Sequence, residues 1–350
     1  MNTVTVSASK TYQVQIGNGL LTTIGDAARK LSVAKKVAII SDSNVWPIYG
    51  KTVTSSLEDA SFEVKHFIFP AGENSKNGLT YLEILNFLAE CKFTRSDLLI
   101  ALGGGVVGDI TGFVAATFLR GIQYVQIPTT LLSMVDSSVG GKTAIDLPAG
   151  KNLAGAFYQP ILVVCDTATL DTLPENISRE GSAEVIKYGI LYDENLFSHL
   201  ETFALDFDKI SVITRCVELK RDVVADDEFD RGARQKLNLG HTVGHGIEAA
   251  SNFELSHGTC VAIGTAIVAR AAAKLGFCTA ETCDKILNIL HNFGLPVSTD
   301  TNGATIYDHA LSDKKRDGDT VNLIIPQDIG NCIIHKVSLP EMKSFIEAGL

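Results

Sequence analysis

The sequence predicts two domains of different class, an α/β domain over residues 1–170 and a mainly α-helical domain over residues 171–350. Three observations carry this. Short apolar runs of strand type recur through the first half with helical intervals between them, a glycine-rich strand-to-helix turn sits within that half, and the spacing becomes helical after about residue 170. With 350 residues, 45% of them hydrophobic, the chain can bury two ordinary cores.

Residues 3–16 alternate around Ser9-Lys10, which predicts an opening hairpin. Strands follow at 37–40, 64–69, 98–102, 124–127 and 161–164, a rhythm that predicts a mostly parallel sheet with flanking helices. In the second half helices are expected at 178–191, 194–203, 210–225, 241–250, 258–275 and 282–293. A late hairpin is expected from 321–325 and 332–337.

The balance of 40 acidic and 30 basic residues gives a formal charge of −10, which argues against a nucleic-acid or anionic-membrane surface. Any anionic ligand must meet a local cluster of cations. Seven cysteines without a C-x-x-C pair fit reduced thiols. The N-terminus lacks the basic and apolar regions of a signal peptide, and the longest apolar stretches are broken by Asp109 and Arg270, so a soluble cytoplasmic protein is expected.

Chemistry first appears in Asp97-Leu-Leu-Ile-Ala-Leu-Gly-Gly-Gly-Val-Val-Gly-Asp109. Gly103, Gly105 and Gly108 have the G-x-G-x-x-G spacing between a buried-strand run and a second apolar stretch at 110–119. Such a Rossmann-like turn lets backbone approach a pyrophosphate at a helix N-terminus, although glycine clusters also serve plain tight turns. The acidic residue expected about twenty positions on is missing, so Asp42, after the strand at 37–40, is the candidate for the ribose.

Glu184, His241 and His257 form a second set, since one carboxylate and two imidazoles are a normal open catalytic site for zinc. The first two have alternative readings, whereas the position of His257 suits a neutral metal ligand. Glu184 and Lys187, three apart on a helix, also read as an exposed ion pair; His241 and His245, four apart, also read as core histidines satisfied by hydrogen bonds. His257 follows Ser256, an N-cap candidate, and the positive end of that helix disfavours imidazolium. The apolar stripe Ile213, Cys216, Val217, Val224 places Lys220 on the inward face of its helix, either snorkelling to solvent or meeting an anionic ligand.

Several ordered blocks accompany these residues: Pro70-Ala-Gly-Glu-Asn-Ser-Lys76, Phe118-Leu-Arg-Gly121, Pro128-Thr-Thr-Leu-Leu132, Val135-Asp-Ser-Ser-Val-Gly-Gly-Lys-Thr143, Gly150-Lys-Asn152, Glu184-Val-Ile-Lys187, and Asn238-Leu-Gly-His241 through His257-Gly258. With the glycine loop, they make the chain resemble the 3-dehydroquinate synthase family from about residue 37 to beyond Lys314. The resemblance implies an NAD-binding domain, a metal domain, and conversion of 3-deoxy-D-arabino-heptulosonate 7-phosphate to 3-dehydroquinate and phosphate in the shikimate pathway. It also implies a redox-neutral course: carbinol oxidation, phosphate elimination, return of the hydride, then ring opening and aldol closure.

By that likeness NAD would be held by Asp42, Asn44, Glu73, Lys76, Gly104, Gly105, Val106, Asp109, Thr129, Thr130, Lys142, Lys151, Thr169 and Thr172. A zinc or cobalt ion would be held by Glu184, His241 and His257. Substrate contacts would be Arg120, Asp136, Lys142, Lys151, Asn152, Lys187, Lys220, Arg234, Asn238, His245 and Lys314, with the active site in a cleft between the domains. The expected partners are a small anionic sugar phosphate and a second copy of the chain, with neither nucleic acid nor membrane. Where the family commonly reads His-Gly-Glu, this chain has His257-Gly-Thr259, which touches helix capping before metal binding. The rivals are a metal-dependent polyol dehydrogenase, which usually carries Asp-x-x-x-His, a cyclase acting on sedoheptulose 7-phosphate or glucose 6-phosphate, and a catalytically silent metal-stabilised binding protein.

Overall fold

A computed structural model describes residues 1–311, 316–317 and 319–350; Lys314 lies outside them. The chain forms two compact units, one of residues 1–173 and 209–229, the other of residues 174–208 and 230–350. The segment 209–229 thus belongs with the first unit, where a linear division at residue 170 assigns it to the second.

In the first unit β1 (Asn2–Val6) and β2 (Tyr12–Gly17) make the expected antiparallel hairpin. There follow α1 (Ile24–Leu31), β3 (Lys36–Asp42), α2 (Trp46–Asp59), β4 (Glu63–Phe69), α3 (Gly78–Glu90), β5 (Leu98–Gly103), α4 (Gly105–Thr117) and β6 (Gln123–Pro128). A second hairpin, β7 (Lys142–Leu147) with β8 (Gly150–Phe157), precedes β9 (Leu162–Asp166). The main sheet has the order β1-β2-β9-β6-β5-β3-β4, parallel throughout from β2 onward. Both faces are covered, which is why β3 and β5 read as nearly unbroken apolar runs. Ile24, Val53 and Leu57 pack with Ile39 and Ile100 in one core, and Ile84, Leu88, Ile110 and Val114 pack with Ile40 and Leu99 in another. β3 is flanked by β4 on one side and β5 on the other, so the direction of winding reverses there. Ligands of open α/β sheets bind beyond the carboxyl ends of the strands at such a switch.

The second unit opens with α5 (Glu175–Tyr192) and α6 (Glu194–Phe203), before the chain returns to the first unit for α7 (Lys209–Asp226). Polar ties pin that segment to the opening hairpin: Asn2 Nδ2 donates to Thr214 Oγ1 at 3.1 Å, and Ser9 donates from both its backbone N and its Oγ to Glu228, each at 2.6 Å. The second unit then continues through α8 (His241–Ala250), α9 (His257–Lys274), α10 (Ala280–Asn292), α11 (Gly303–Ala310), β10 (Arg316–Asp317), β11 (Thr320–Asp328), β12 (Asn331–Ser338) and α12 (Leu339–Gly349). Among the described residues it is mostly helical, with a three-stranded sheet.

α8 and α9 meet through glycines. Gly240 takes φ 75° just before α8, and a Cβ at Gly264 would lie 2.1 Å from the Gly240 carbonyl oxygen. No side chain fits there. Gly264→Ala is therefore expected to destabilise the second unit by about 1–3 kcal/mol or more through overpacking. Chemical denaturation followed by circular dichroism measures it, and a melting curve equal to the parent's would contradict the close approach.

Candidate active site

The glycine loop lies at the carboxyl end of β5. α4 starts at Gly105 with Gly104 as its N-cap, has no side-chain cap and carries no acid in its first turn, which leaves a helix N-terminus open to an anion. A Cβ at Gly104 would sit 3.2 Å from Thr130 Cγ2, and one at Gly105 would sit 3.2 Å from Ser137 Oγ, so side chains here would fill the cradle. Thr129 donates its backbone N to the Gly103 carbonyl at 3.0 Å, and its buried Oγ1 has no hydrogen-bond partner among the described residues. Asp42, at the carboxyl end of β3, accepts the backbone N of Asn44 and of Val45 on a single oxygen, at 2.8 and 2.9 Å. From α2 the Tyr49 hydroxyl reaches the Thr169 carbonyl at 3.2 Å and Thr172 Oγ1 at 2.5 Å, in the turn after β9. Asp42, Asn44, Gly104, Gly105, Val106, Thr129, Thr130, Thr169 and Thr172 thus gather along one edge of the sheet. These residues fit a dinucleotide.

A charged knot lies beside them. Lys76 Nζ donates to Asp109 Oδ2 at 2.5 Å and to Asn152 Oδ1 at 2.6 Å, while Asp146 accepts the Asn152 backbone N at 2.8 Å. Burial pulls the Lys76 ammonium down, but Asp109 and Glu73 outweigh it and hold the lysine protonated. Lys151 faces Glu73 at 3.9 Å. The β7–β8 hairpin carries Lys142, Lys151 and Asn152, and so delivers residues assigned to substrate next to those assigned to cofactor.

Lys220 is inward, as its apolar stripe predicts, and does not snorkel. It is 4% exposed, and its Nζ donates to the Asp136 carbonyl at 2.5 Å and to Asp136 Oδ1 at 2.8 Å. Arg120 is not brought to this set. It is exposed and lies past the far end of α4, before β6 begins. A helix of 13 residues is roughly 20 Å long, which separates Arg120 from the glycine loop by about that much. Leu119 and Arg120 both have positive φ, 50° and 67°, in the turn that reverses the chain there.

In the second unit Glu184 is 1% exposed on α5, and both its oxygens are buried without a hydrogen bond among the described residues. His241 Nε2 and His257 Nε2 face its Oε1 at 3.4 and 3.6 Å. Ligands about 2 Å from a tetrahedral ion stand roughly 3.3 Å apart. The three donors therefore have the spacing that could hold a metal ion. Lys187 pairs with Glu184, and both are buried, so the exposed helical pair is not what forms. Burial would raise the Glu184 carboxyl, but the Lys187 ammonium and His241 hold it well below the usual carboxylate range. Burial and Lys187 push His241 down to about 3, so its ring is neutral. Its Nδ1 lies 3.0 Å from the Leu239 carbonyl, which leaves the Nε2 lone pair on the Glu184 side.

His257 heads α9 with Ser256 as N-cap; burial lowers its pKa, and the carboxylates of Glu184 and Glu248 together outweigh burial and raise it to about 9. Full charges at close range exceed the fractional charge of a helix end. The cap itself forms without glutamate at position 259, with the Thr259 backbone N donating to Ser256 Oγ at 3.3 Å. His245 is placed beside the set, its ring 5.5 Å from that of His241 and 5.9 Å from that of His257. Arg234, in the 3-10 turn Ala233–Asn238 before α8, is 2% exposed.

Comparison with known proteins decides the family. Residues 66–180 match the profile of the 3-dehydroquinate synthase N-terminal domain and residues 181–316 that of the C-terminal domain. The chain belongs to the 3-dehydroquinate synthase family. It is 43% identical over 341 residues to the 3-dehydroquinate synthase of Clostridium acetobutylicum, covering 96% of each chain. It is 44% identical over 347 residues to that of Thermodesulfovibrio yellowstonii, covering 96% of this chain and 97% of the relative. Among solved structures, 2-deoxy-scyllo-inosose synthase complexed with carbaglucose-6-phosphate, NAD+ and Co2+ superposes with a TM-score of 0.89 at 23% identity over all of both chains. Glycerol dehydrogenase from Schizosaccharomyces pombe shares the fold with a TM-score of 0.67 at 18% identity, covering 99% of this chain and 90% of that one. No helix among the described residues is long and apolar enough to cross a membrane.

Proposed function

We propose that the chain is a cytoplasmic 3-dehydroquinate synthase that converts 3-deoxy-D-arabino-heptulosonate 7-phosphate to 3-dehydroquinate and phosphate. The observation that carries this is identity of 43–44% over 96% of the chain to proteins of that name, in a chain whose Glu184, His241 and His257 have metal-site spacing. A divalent zinc or cobalt ion at those three residues would supply Lewis acidity to a substrate alkoxide. NAD at the glycine loop would supply a reversible hydride acceptor.

The residues of the chain do the holding. Lys187 keeps Glu184 ionised, and the Leu239 carbonyl keeps the His241 Nε2 lone pair turned toward Glu184. Arg234 and Asn238 would fix the substrate carboxylate with charge-assisted bonds, and Lys142, Lys151 and Asn152 its phosphate. His245 would contact substrate. The substrate phosphate would serve as its own base in elimination, so none of these side chains would have to take that proton. The expected partners remain this one small anionic substrate and a second copy of the chain.

The deciding measurement is phosphate release from the heptulosonate phosphate by the purified protein with NAD and zinc. Product at the oxidation level of the substrate requires NAD only in catalytic amount, so absorbance at 340 nm is expected to stay flat during turnover. NADH accumulating in step with phosphate, or without it, would move the chain to the polyol dehydrogenase reading.

A further inference from the structure

The two imidazoles of the metal set divide their nitrogens in the same way. His241 turns Nδ1 to the Leu239 carbonyl at 3.0 Å and Nε2 to Glu184. His257 turns Nδ1 to Glu248 Oε2 at 3.8 Å and Nε2 to Glu184 Oε1 at 3.6 Å. The second ring is therefore bracketed by two buried carboxylates, one at each nitrogen.

Glu248 is 3% exposed and lies seven residues after His241 and three after His245, so the three share one face of α8. Donor atoms of His245, Glu248 and His257 lie within 4.8 Å of one another. A buried carboxylate needs a reason to be there. With an ion on Nε2, the Nδ1 proton of His257 has an anionic acceptor within less than an ångström of hydrogen-bond range. The opposite tautomer would set that nitrogen's lone pair against a negative charge.

We propose that Glu248 is the positioning residue of the metal site: it fixes the tautomer and orientation of His257 through the Nδ1 side of that ring. The inference rests on the metal reading of Glu184, His241 and His257. His241 receives only a neutral carbonyl in the same place, so the two rings are not equivalent supports. Their partners also differ in how they can be changed, because the Leu239 carbonyl is backbone and Glu248 is a side chain.

The test measures Co2+ and Zn2+ affinity of the full-length protein by chelator competition, together with the visible absorption of bound Co2+, for the parent, Glu248→Gln, Glu248→Ala and His241→Ala. Loss of an outer carboxylate partner typically weakens a metal site roughly 10–100-fold, and Glu248→Ala is expected in that range with a shifted Co2+ spectrum. Glu248→Gln keeps an oxygen that can accept the Nδ1 proton and should fall between Glu248→Ala and the parent. It also decides the matter if the alanine variant fails to fold. A merely structural role would lower the melting temperature of the chelator-treated protein without moving affinity or spectrum. Parent affinity and an unchanged spectrum in the glutamine variant overturn the proposal. His241→Ala separates the two levels: if it still binds Co2+ as the parent does, the metal reading itself fails, whereas loss there beside an unaffected Glu248 series defeats the Glu248 role alone.

Discussion

Replacing His241 with alanine is expected to abolish bound metal and lower turnover by roughly a thousandfold or more. The ring supplies one of three donors, and Lewis-acid stabilisation of a developing alkoxide is worth several kcal/mol, with each 1.4 kcal/mol a factor of ten in rate. Its neighbour serves as the contrast. His245→Ala is expected to retain metal, because His245 lies outside the Glu184 set, while losing activity through substrate contact. Metal analysis of the two purified variants beside their phosphate-release rates is the check. Equal metal content would exchange or merge the two roles. Chelation of the parent should abolish turnover and added zinc or cobalt should restore it.

The second large effect is expected at Arg234. Its side chain is 2% exposed, so an arriving carboxylate meets it with little screening by solvent. A bidentate pair supplies two charge-assisted bonds of about 1.5–3 kcal/mol each, so Arg234→Ala should reduce kcat/KM for the heptulosonate phosphate roughly 10²–10⁴-fold. Sedoheptulose 7-phosphate lacks the carboxylate and should be a poor substrate of the parent. The variant should leave any residual activity on it far less changed. A parent that turns over sedoheptulose 7-phosphate as efficiently would belong to a neighbouring cyclase branch, with its fold and metal site as described.

Much of this was legible because periodicity and residue type agree. The helices expected at 194–203 and 241–250 match α6 and α8 residue for residue, and the stripe through Ile213, Cys216, Val217 and Val224 placed Lys220 correctly. The β7–β8 hairpin escaped because its strands lack a clean alternation: β8 is half-buried or exposed along its whole length. α12 carried a usable sign that went unread, the capping box of Ser338 with Glu341. Glu248 also had one, its helical spacing from His241 and His245, but an acid near a helix end has many uses. Thr259 behaved as its position at N3 implies. The surroundings of His257 could not be read from the sequence, since its two neighbouring carboxylates come from α5 and α8.

The return of α7 to the first unit has a consequence for how the protein is made. Residues 1–173, which hold every strand of the main sheet, leave the ribosome well before 209–229, yet the latter complete the unit, so it stays incomplete until about two thirds of the chain is synthesised. Until then the hairpin β1–β2 lacks Thr214 and Glu228, and Asp136 lacks Lys220. A gene fragment stopping at residue 173 should therefore yield an aggregation-prone product, and chaperone dependence during translation should fall once residue 229 has emerged.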